Sequence, residues 1–423
     1  MISAARYSKI RSRLQDANLA ERNPIFRMEQ PMIETDALLE AQAIMTRFAA
    51  ETGIPPAATR PPIRYLWTDA FAVCNFLGLY RTAGDPSHRQ LAVNLIDQVH
   101  HVLGRHREDD TREGWISGLS HRNGEDHPTA GGLRIGKKLN ERGPSAPFDE
   151  PLEWNRDGQY FHYLTKWMHA LDRAARLLGQ NQYGRWASEL AKTAYTRFVY
   201  SAANGLERRM VWKMSIDLSY PLVKAMGHHD PLDGFITFMQ IDSNPSRKTE
   251  KGGWPDLETE IAELADICAG KNWATDDPLG IGGLLCDGFR LAQLTARGDF
   301  LGNGLLEAVL EASLQGLKVY TKSSPTKRPA EQRLAFRELG LSTGLHALAK
   351  TERLLVHESQ LPLKTRRLQG LVNRLMKYAP LAGETEEFWL DPAHQETPVW
   401  MEHLDINRVM LATSLAPDGY VDI

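Results

Sequence analysis

The chain has 423 residues, 42% hydrophobic and 24% charged, enough apolar material for a large core. Fifty Lys and Arg against 53 Asp and Glu give a net charge of -3, without the clustered positive surface that nucleic-acid binding needs. The short basic stretches, Lys137-Lys138 and Lys322 to Arg328, read as solvated loops. Cys74, Cys268 and Cys286 are widely spaced, with no Cys-x-x-Cys or Cys-His cluster, which argues against a thiolate metal site and for a reducing compartment.

In chain order, residues 1–28 are expected to form a tail and 29–423 a single domain. The opening segment MISAARYSKIRSRLQ is basic but no apolar stretch follows it. No run of about 18 apolar residues occurs anywhere, so the expectation is a cytoplasmic protein without membrane contact. A helix is predicted over Glu29 to Thr52. Two helix types then alternate. One is rich in small residues and apolar on most sides, as in Arg64 to Arg81, Pro278 to Arg297 and Leu334 to Lys350. Pro278 to Arg297 carries Gly280, Gly282, Gly283 and Gly288. Glycine costs about 1 kcal/mol per helical position against alanine, so close packing on several sides is implied. The other type is amphipathic: Leu91, Leu95, Val99 and Val102 share one face of His88 to Leu103.

Six buried-type helices are predicted, starting near Arg64, Asp157, Lys213, Asp277, Arg333 and Thr397. Amphipathic partners follow the first five near His88, Tyr183, Pro231, Leu301 and Leu363, and the N-terminal helix can partner the sixth. Asp256 to Ala269 is a second amphipathic candidate in the third hairpin. This alternation fits an all-α fold, an (α/α)6 toroid with an inner and an outer helix ring. Inner-to-outer turns are short, as at Ala83, Gly179, Gly227 and Arg297. Outer-to-inner connections are long, near 107–156, 200–212, 241–278, 322–332 and 380–396, and long loops on one face are where function sits.

Of ten tryptophans, Trp115, Trp154, Trp212, Trp254, Trp273, Trp389 and Trp400 fall in or beside those connections, and Trp67 opens an inner helix. Indole faces suit stacking on sugar rings. Carboxylates are expected on the same face: Asp69, Asp157, Asp217, Asp276, Asp277, Glu338, Glu402 and Asp405. Asp157 and Asp277 read as helix caps. Asp69 and Asp217, set within apolar stretches, are the candidates for general acid and base on a glycosidic bond. The stretch Gly227-His228-His229-Asp230-Pro231 reads as a structural turn on the opposite face, Asp230 being an N-cap before an N1 proline like Asp85 before Pro86. The loop Gly124 to Gly143 is neither a phosphate loop nor a dinucleotide fingerprint, and Arg134, Lys137 and Lys138 in it read as solvated.

The alternating-helix plan, with Trp and acid at the inner-helix starts, resembles the six-hairpin glycosidase-like superfamily over roughly residues 30–415. That superfamily includes glycoside hydrolases, unsaturated glucuronyl hydrolases and sugar 2-epimerases. The resemblance implies a carbohydrate-active enzyme. The first reading is glycoside hydrolysis, with Asp69, Asp217 and His162 catalytic and Trp67, Trp154, Tyr160, Trp212, Trp400 and His403 binding substrate. The second is a sugar epimerase or isomerase using a histidine pair drawn from His162, His346 and His403. The third is a toroid that only binds a ligand or protein. No cofactor or metal motif is apparent, and the expected partner is a small molecule or oligosaccharide.

Overall fold

The computed structural model describes residues 30–202, 207–248, 253–300, 303–323, 325–357 and 365–423. The expected tail, 1–28, lies outside them. Contacts cluster into two units. Of the described residues, the first unit holds those within 49–81 and 85–271 and Ile423, and the second those within 30–48, 82–84 and 272–422. The fold is all-α, as the sequence implies, and among the described residues every strand is two or three residues long.

Helix α1 runs Gln30–Glu51, α2 Leu66–Ala83 and α3 Pro86–Leu103. The connection to the next long helix holds two short helices, α4 His121–Asp126 and α5 Glu150–Glu153, and strand β1, Gln159–Tyr160. Helices α6, Phe161–Leu178, and α7, Asn181–Phe198, form a hairpin. Strands β2 Val199–Ser201 and β3 Arg208–Met210 pair with each other, whereas β4 Lys213–Met214 joins β1 to β5 Pro221–Val223 in a three-stranded sheet. Helix α8, Asp230–Asp242, packs on α6 and on α9, Glu258–Cys268.

The hairpin turns follow from local chemistry. Asp85 caps α3 by accepting from Ser87 N, with Pro86 in the first turn. Gly179 ends α6 in the left-handed region at φ 65°, where glycine carries no Cβ penalty. Leu91, Leu95, Ile96, Val99 and Leu103 form the buried stripe of α3.

The third hairpin departs from expectation. No helix starts at Lys213: that segment is β4, a turn and β5, and Asp217 lies in the turn. Ile216, Leu218 and Leu222 are spaced to suit a strand as well as a helix, and Pro221 denies a helix interior its hydrogen bond. The buried-type helix is α8, with Leu232, Ile236, Phe238 and Ile241 wholly buried. Its amphipathic partner is α9, so the turn Gly227 to Asp230 leads into a buried helix rather than an outer one.

The second unit is built from α10 Pro278–Ala296, α11 Asn303–Lys322, α12 Ala335–His357, α13 Arg366–Leu375 and α14 Pro380–Leu390, followed by α15 Pro392–Gln395, α16 Pro398–Glu402, α17 Leu404–Leu415 and α18 Asp418–Val421. Helix α14 replaces the long connection expected over 380–396. Helix α10 packs against α11 and α12, and α12 against α14 and α17. Asp277 caps α10 by accepting from Gly280 N, as expected. The glycines explain themselves at the α10–α12 contact. A methyl on Gly282 would overlap the backbone of Gly340, and one on Gly344 would overlap Gly282. Among the described residues no helix is long and apolar enough to cross a membrane.

Candidate functional site

The first unit gathers aromatic and titratable side chains where β1 runs into α6. Tyr160 holds the N-cap position of α6 with extended backbone. Antiparallel pairing of Tyr160 with Lys213 brings the neighbouring Trp212 alongside. The Tyr160 and Trp212 rings lie 5.0 Å apart, and Trp154 meets Trp212 edge-on at 5.3 Å. Gly158, at φ 145°, lets this strand approach β4 so closely that a Cβ would stand 2.7 Å from the Met214 carbonyl. Gln159 pins the strand further, donating to the carbonyls of Gly131 and Ile216 and accepting from Leu133 N.

Beneath the aromatic rings sits Lys213, fully buried, its ammonium donating to the carbonyls of Glu153 and Arg156 and to the Glu153 carboxylate at 2.9 Å. Burial pushes its pKa down, against the pull of Glu153. Burial likewise pushes the Tyr160 hydroxyl well above its ordinary range.

His162 stands in the first turn of α6, two residues after the strand ends. Its ring stacks on Tyr160 at 5.3 Å and lies parallel to Trp212 at 6.2 Å, with Tyr163 edge-on at 4.9 Å. Its side chain is 29% exposed, and its Nδ1 lies 3.6 Å from Oδ1 of Asp230, the first residue of α8. Asp230 is buried, and its Oδ2 has no hydrogen-bond partner among the described residues. The α6–α8 register that places the two is fixed one turn on, where Thr165 and Lys166 both bond Asp233. Tyr65 and Tyr163 share a hydrogen bond of 2.7 Å between their hydroxyls beside this group.

Asp230 is the residue that sequence reasoning missed as a functional group. The structure corrects its expected role as an N-cap: His229 takes that position, and the Asp230 carboxylate caps no N–H. It also corrects the side of the molecule, since this turn opens beside His162 within the same unit. The signal was the motif itself, an acid and two histidines at the head of an apolar helix.

Other candidates fall elsewhere. Asp69 is 1% exposed, accepts from Tyr65 N at 2.9 Å and pairs with Arg64 at 3.4 Å. It closes the first turn of α2 and neutralises a buried guanidinium. Trp67 is buried with its ring on Phe71 at 4.3 Å. Asp217 accepts from Ser215 Oγ, Ser219 N and Ser219 Oγ, and from Arg112 at 3.0 Å. Burial works to raise its carboxyl, but the serine hydrogen bonds and Arg112 outweigh it and hold the group below its ordinary value. Arg112 also binds Asp110 and Glu141, and burial pushes Glu141 up. Asp69 thus belongs to the Arg64 cluster and Asp217 to the Arg112 cluster.

Asp157 is not a helix cap. It is fully buried and accepts from the N–H groups of Gly136 and Gly158 and from Arg134 and Arg107. Arg134 is accordingly an anchor of the 124–143 loop, not a solvated residue. In the second unit Trp400 is 1% exposed and stacks on Trp389 at 5.5 Å, so it is an interior side chain rather than an open platform. Glu338 is spent on Arg333 and on the Trp389 N–H. His403 packs on Phe336 at 5.4 Å, and His346 bonds Glu386 at 2.7 Å. Among the described residues no cluster of His, Cys, Asp and Glu could hold a metal ion.

No family model matches the chain, and no curated protein does. Several solved structures are similar in backbone, among them the following two. The crystal structure of D-mannose isomerase is 11% identical with a TM-score of 0.45, covering 82% of this chain and 97% of that one. Cellobiose 2-epimerase from Bacillus thermoamylovorans B4167 is 10% identical with a TM-score of 0.43, covering 83% of this chain and 87% of that one.

Proposed function

We propose that this chain is a carbohydrate-active enzyme, built as the single (α/α)6 toroid expected from the sequence, that moves a proton on the open chain of a small sugar. The reading is aldose–ketose isomerisation or 2-epimerisation, and it rests on the geometry of His162, not on the two similar structures. The observation that carries it is the His162–Asp230 pair. A buried carboxylate whose second oxygen is unpartnered faces Nδ1 of a part-exposed imidazole, and the imidazole is flanked by Tyr160 and Trp212. The carboxylate stands 3.6 Å from Nδ1, on one side of the ring, which leaves Nε2 as the base.

The chemistry balances without a co-reactant. Nε2 of His162 takes the proton on C2 of the open aldose, and the C–H electron pair forms the C1–C2 double bond as the carbonyl π pair moves onto O1, leaving an enediolate. Passage of the O2 proton to O1 and return of the proton from Nε2 to C1 give the ketose; rotation of the enediolate about its C2–C3 bond, return of the proton to the other face of C2 and re-formation of the O1 carbonyl give the epimer. Tyr160, Trp212 and the half-exposed Trp154 supply apolar ring surface for the sugar's C–H faces. Hydrolysis by Asp69 and Asp217 has less support, because each carboxylate is committed to an arginine and to local hydrogen bonds.

The test is proton NMR of unlabelled aldohexoses and cellobiose incubated with the full chain in deuterium oxide. Conversion to a ketose with deuterium at C1, or to an epimer with deuterium at C2, lost in His162→Asn, is the expected result. Release of a reducing end without exchange at C2, or no turnover across the panel, overturns the reading.

A further inference from the structure

We propose that the first unit carries a second ligand site, a cleft among α3, α4 and α7 that takes one neutral, polyhydroxylated six-membered ring. The cleft encloses about 150 Å³. An apolar protein cavity of about that volume holds a single benzene ring, and drug-sized sites are roughly 300–1,000 Å³. The space therefore suits one ring. Its walls are of two kinds: Trp115, Tyr183 and Trp186 are aromatic, and His101, Glu125 and Gln182 are polar. An aromatic ligand would strip water from the polar wall and return no hydrogen bonds, which costs free energy. A pyranose-like ring meets both walls, stacking its C–H face and bonding through its hydroxyls.

Charge separates a neutral ring from an organic cation or anion. Glu125 is already met by His101 Nε2 at 2.8 Å and by Arg105 at 3.1 Å. The Arg105 guanidinium also lies over the Trp115 ring at 4.6 Å. The chain's own arginine thus holds the position over an indole and beside a carboxylate that a ligand cation would seek. An anion would meet Glu125 and, at the rim, Asp97. What stays available is hydrogen bonding and ring surface.

This inference stands apart from the reading of His162, because ring binding here requires no turnover. The probe is methyl β-D-glucopyranoside, whose locked ring cannot open for proton transfer, observed by saturation-transfer NMR with the full chain. Binding is expected in the wild type and equally in His162→Asn. It is expected to weaken at least about tenfold in Gln182→Trp, which enlarges an exposed side chain across the cleft, and in Glu125→Gln. Two variants guard against a folding defect in either. Loss of binding in His162→Asn with retention in Gln182→Trp would place the ring at the His162 site and overturn the inference. So would binding of tetramethylammonium in place of the glucoside, or no glucoside binding at all.

Discussion

Nδ1 of His162 lies 3.6 Å from Oδ1 of Asp230, across the contact between the first turns of α6 and α8. The two residues are far apart in sequence and share one strand-to-helix junction only because α8 is a buried helix packed on α6. Replacing Asp230 by Asn keeps the shape but removes the carboxylate charge that faces Nδ1. Proton exchange at C2 should fall by about 100-fold, within the usual range for general acid–base catalysis. Thermal stability should hold or rise, because the variant relieves a buried carboxylate oxygen that has no hydrogen-bond partner. Exchange rates and a thermal melt of the one variant check both halves. Equal loss of stability and activity would show that Asp230 is only structural.

Asp69 is, with Asp217, one of the two carboxylates that the sequence offers for catalysis, and its surroundings give a different expectation. The carboxylate sits beside the fully buried Arg64 guanidinium and receives the Tyr65 N–H. Asp69→Asn leaves a buried arginine charge without its counter-ion. Breaking one half of a buried pair costs about 3–5 kcal/mol. Urea unfolding should show a midpoint shifted down by an amount of that order. A variant as stable as the wild type would return Asp69 to the list of groups held for function.

How much of this was legible turns on period and on partners. The stripe of α3 was readable because Leu91, Leu95 and Val99 repeat at helical spacing and nothing nearby competes. The glycine-rich α10 announced close packing, and Gly282 against Gly340 supplies it. The segment from Lys213 to Val223 was misread because its apolar residues satisfy two periods at once. That single error moved Asp217 onto a helix and turned α8 into an outer helix, which hid Asp230. His162 was visible as a polar residue opening an apolar helix. Its partner stood in a visible motif, His228-His229-Asp230, but the pairing did not, because an ion pair across two helices leaves no local pattern.

Gly282→Ala and Gly344→Ala each test the α10–α12 contact. In each case a new methyl would overlap the backbone of the facing helix, which cannot swing aside as a side chain can. Overpacking of this kind costs typically about 1–3 kcal/mol, more than the helix propensity that alanine returns. Both variants should unfold at lower denaturant, while Gly283→Ala, where a Cβ meets nothing within 4 Å, should be neutral or stabilising. Equal effects at all three positions would mean that the glycines serve the helix and not the contact.

The last expectation concerns pH and the second unit. Burial works against a charged His346, but the Glu386 carboxylate at 2.7 Å outweighs it, and the histidine's pKa is raised above its ordinary value. Glu386 is itself held by Ser342 Oγ at 2.7 Å and by Ser414 Oγ, so the pair ties α12, α14 and α17 together. A group whose pKa is raised on folding binds its proton more tightly in the folded chain. Its contribution is therefore fully present below the unfolded value, about 6.5, and is lost as pH rises through the folded value. The difference in stability between the wild type and His346→Gln should be largest in mildly acidic buffer and should shrink toward alkaline pH. Chemical denaturation of both proteins across that range checks it. A difference that grows with pH would mean that His346 stands neutral in the folded chain and that Glu386 is held by its serines alone.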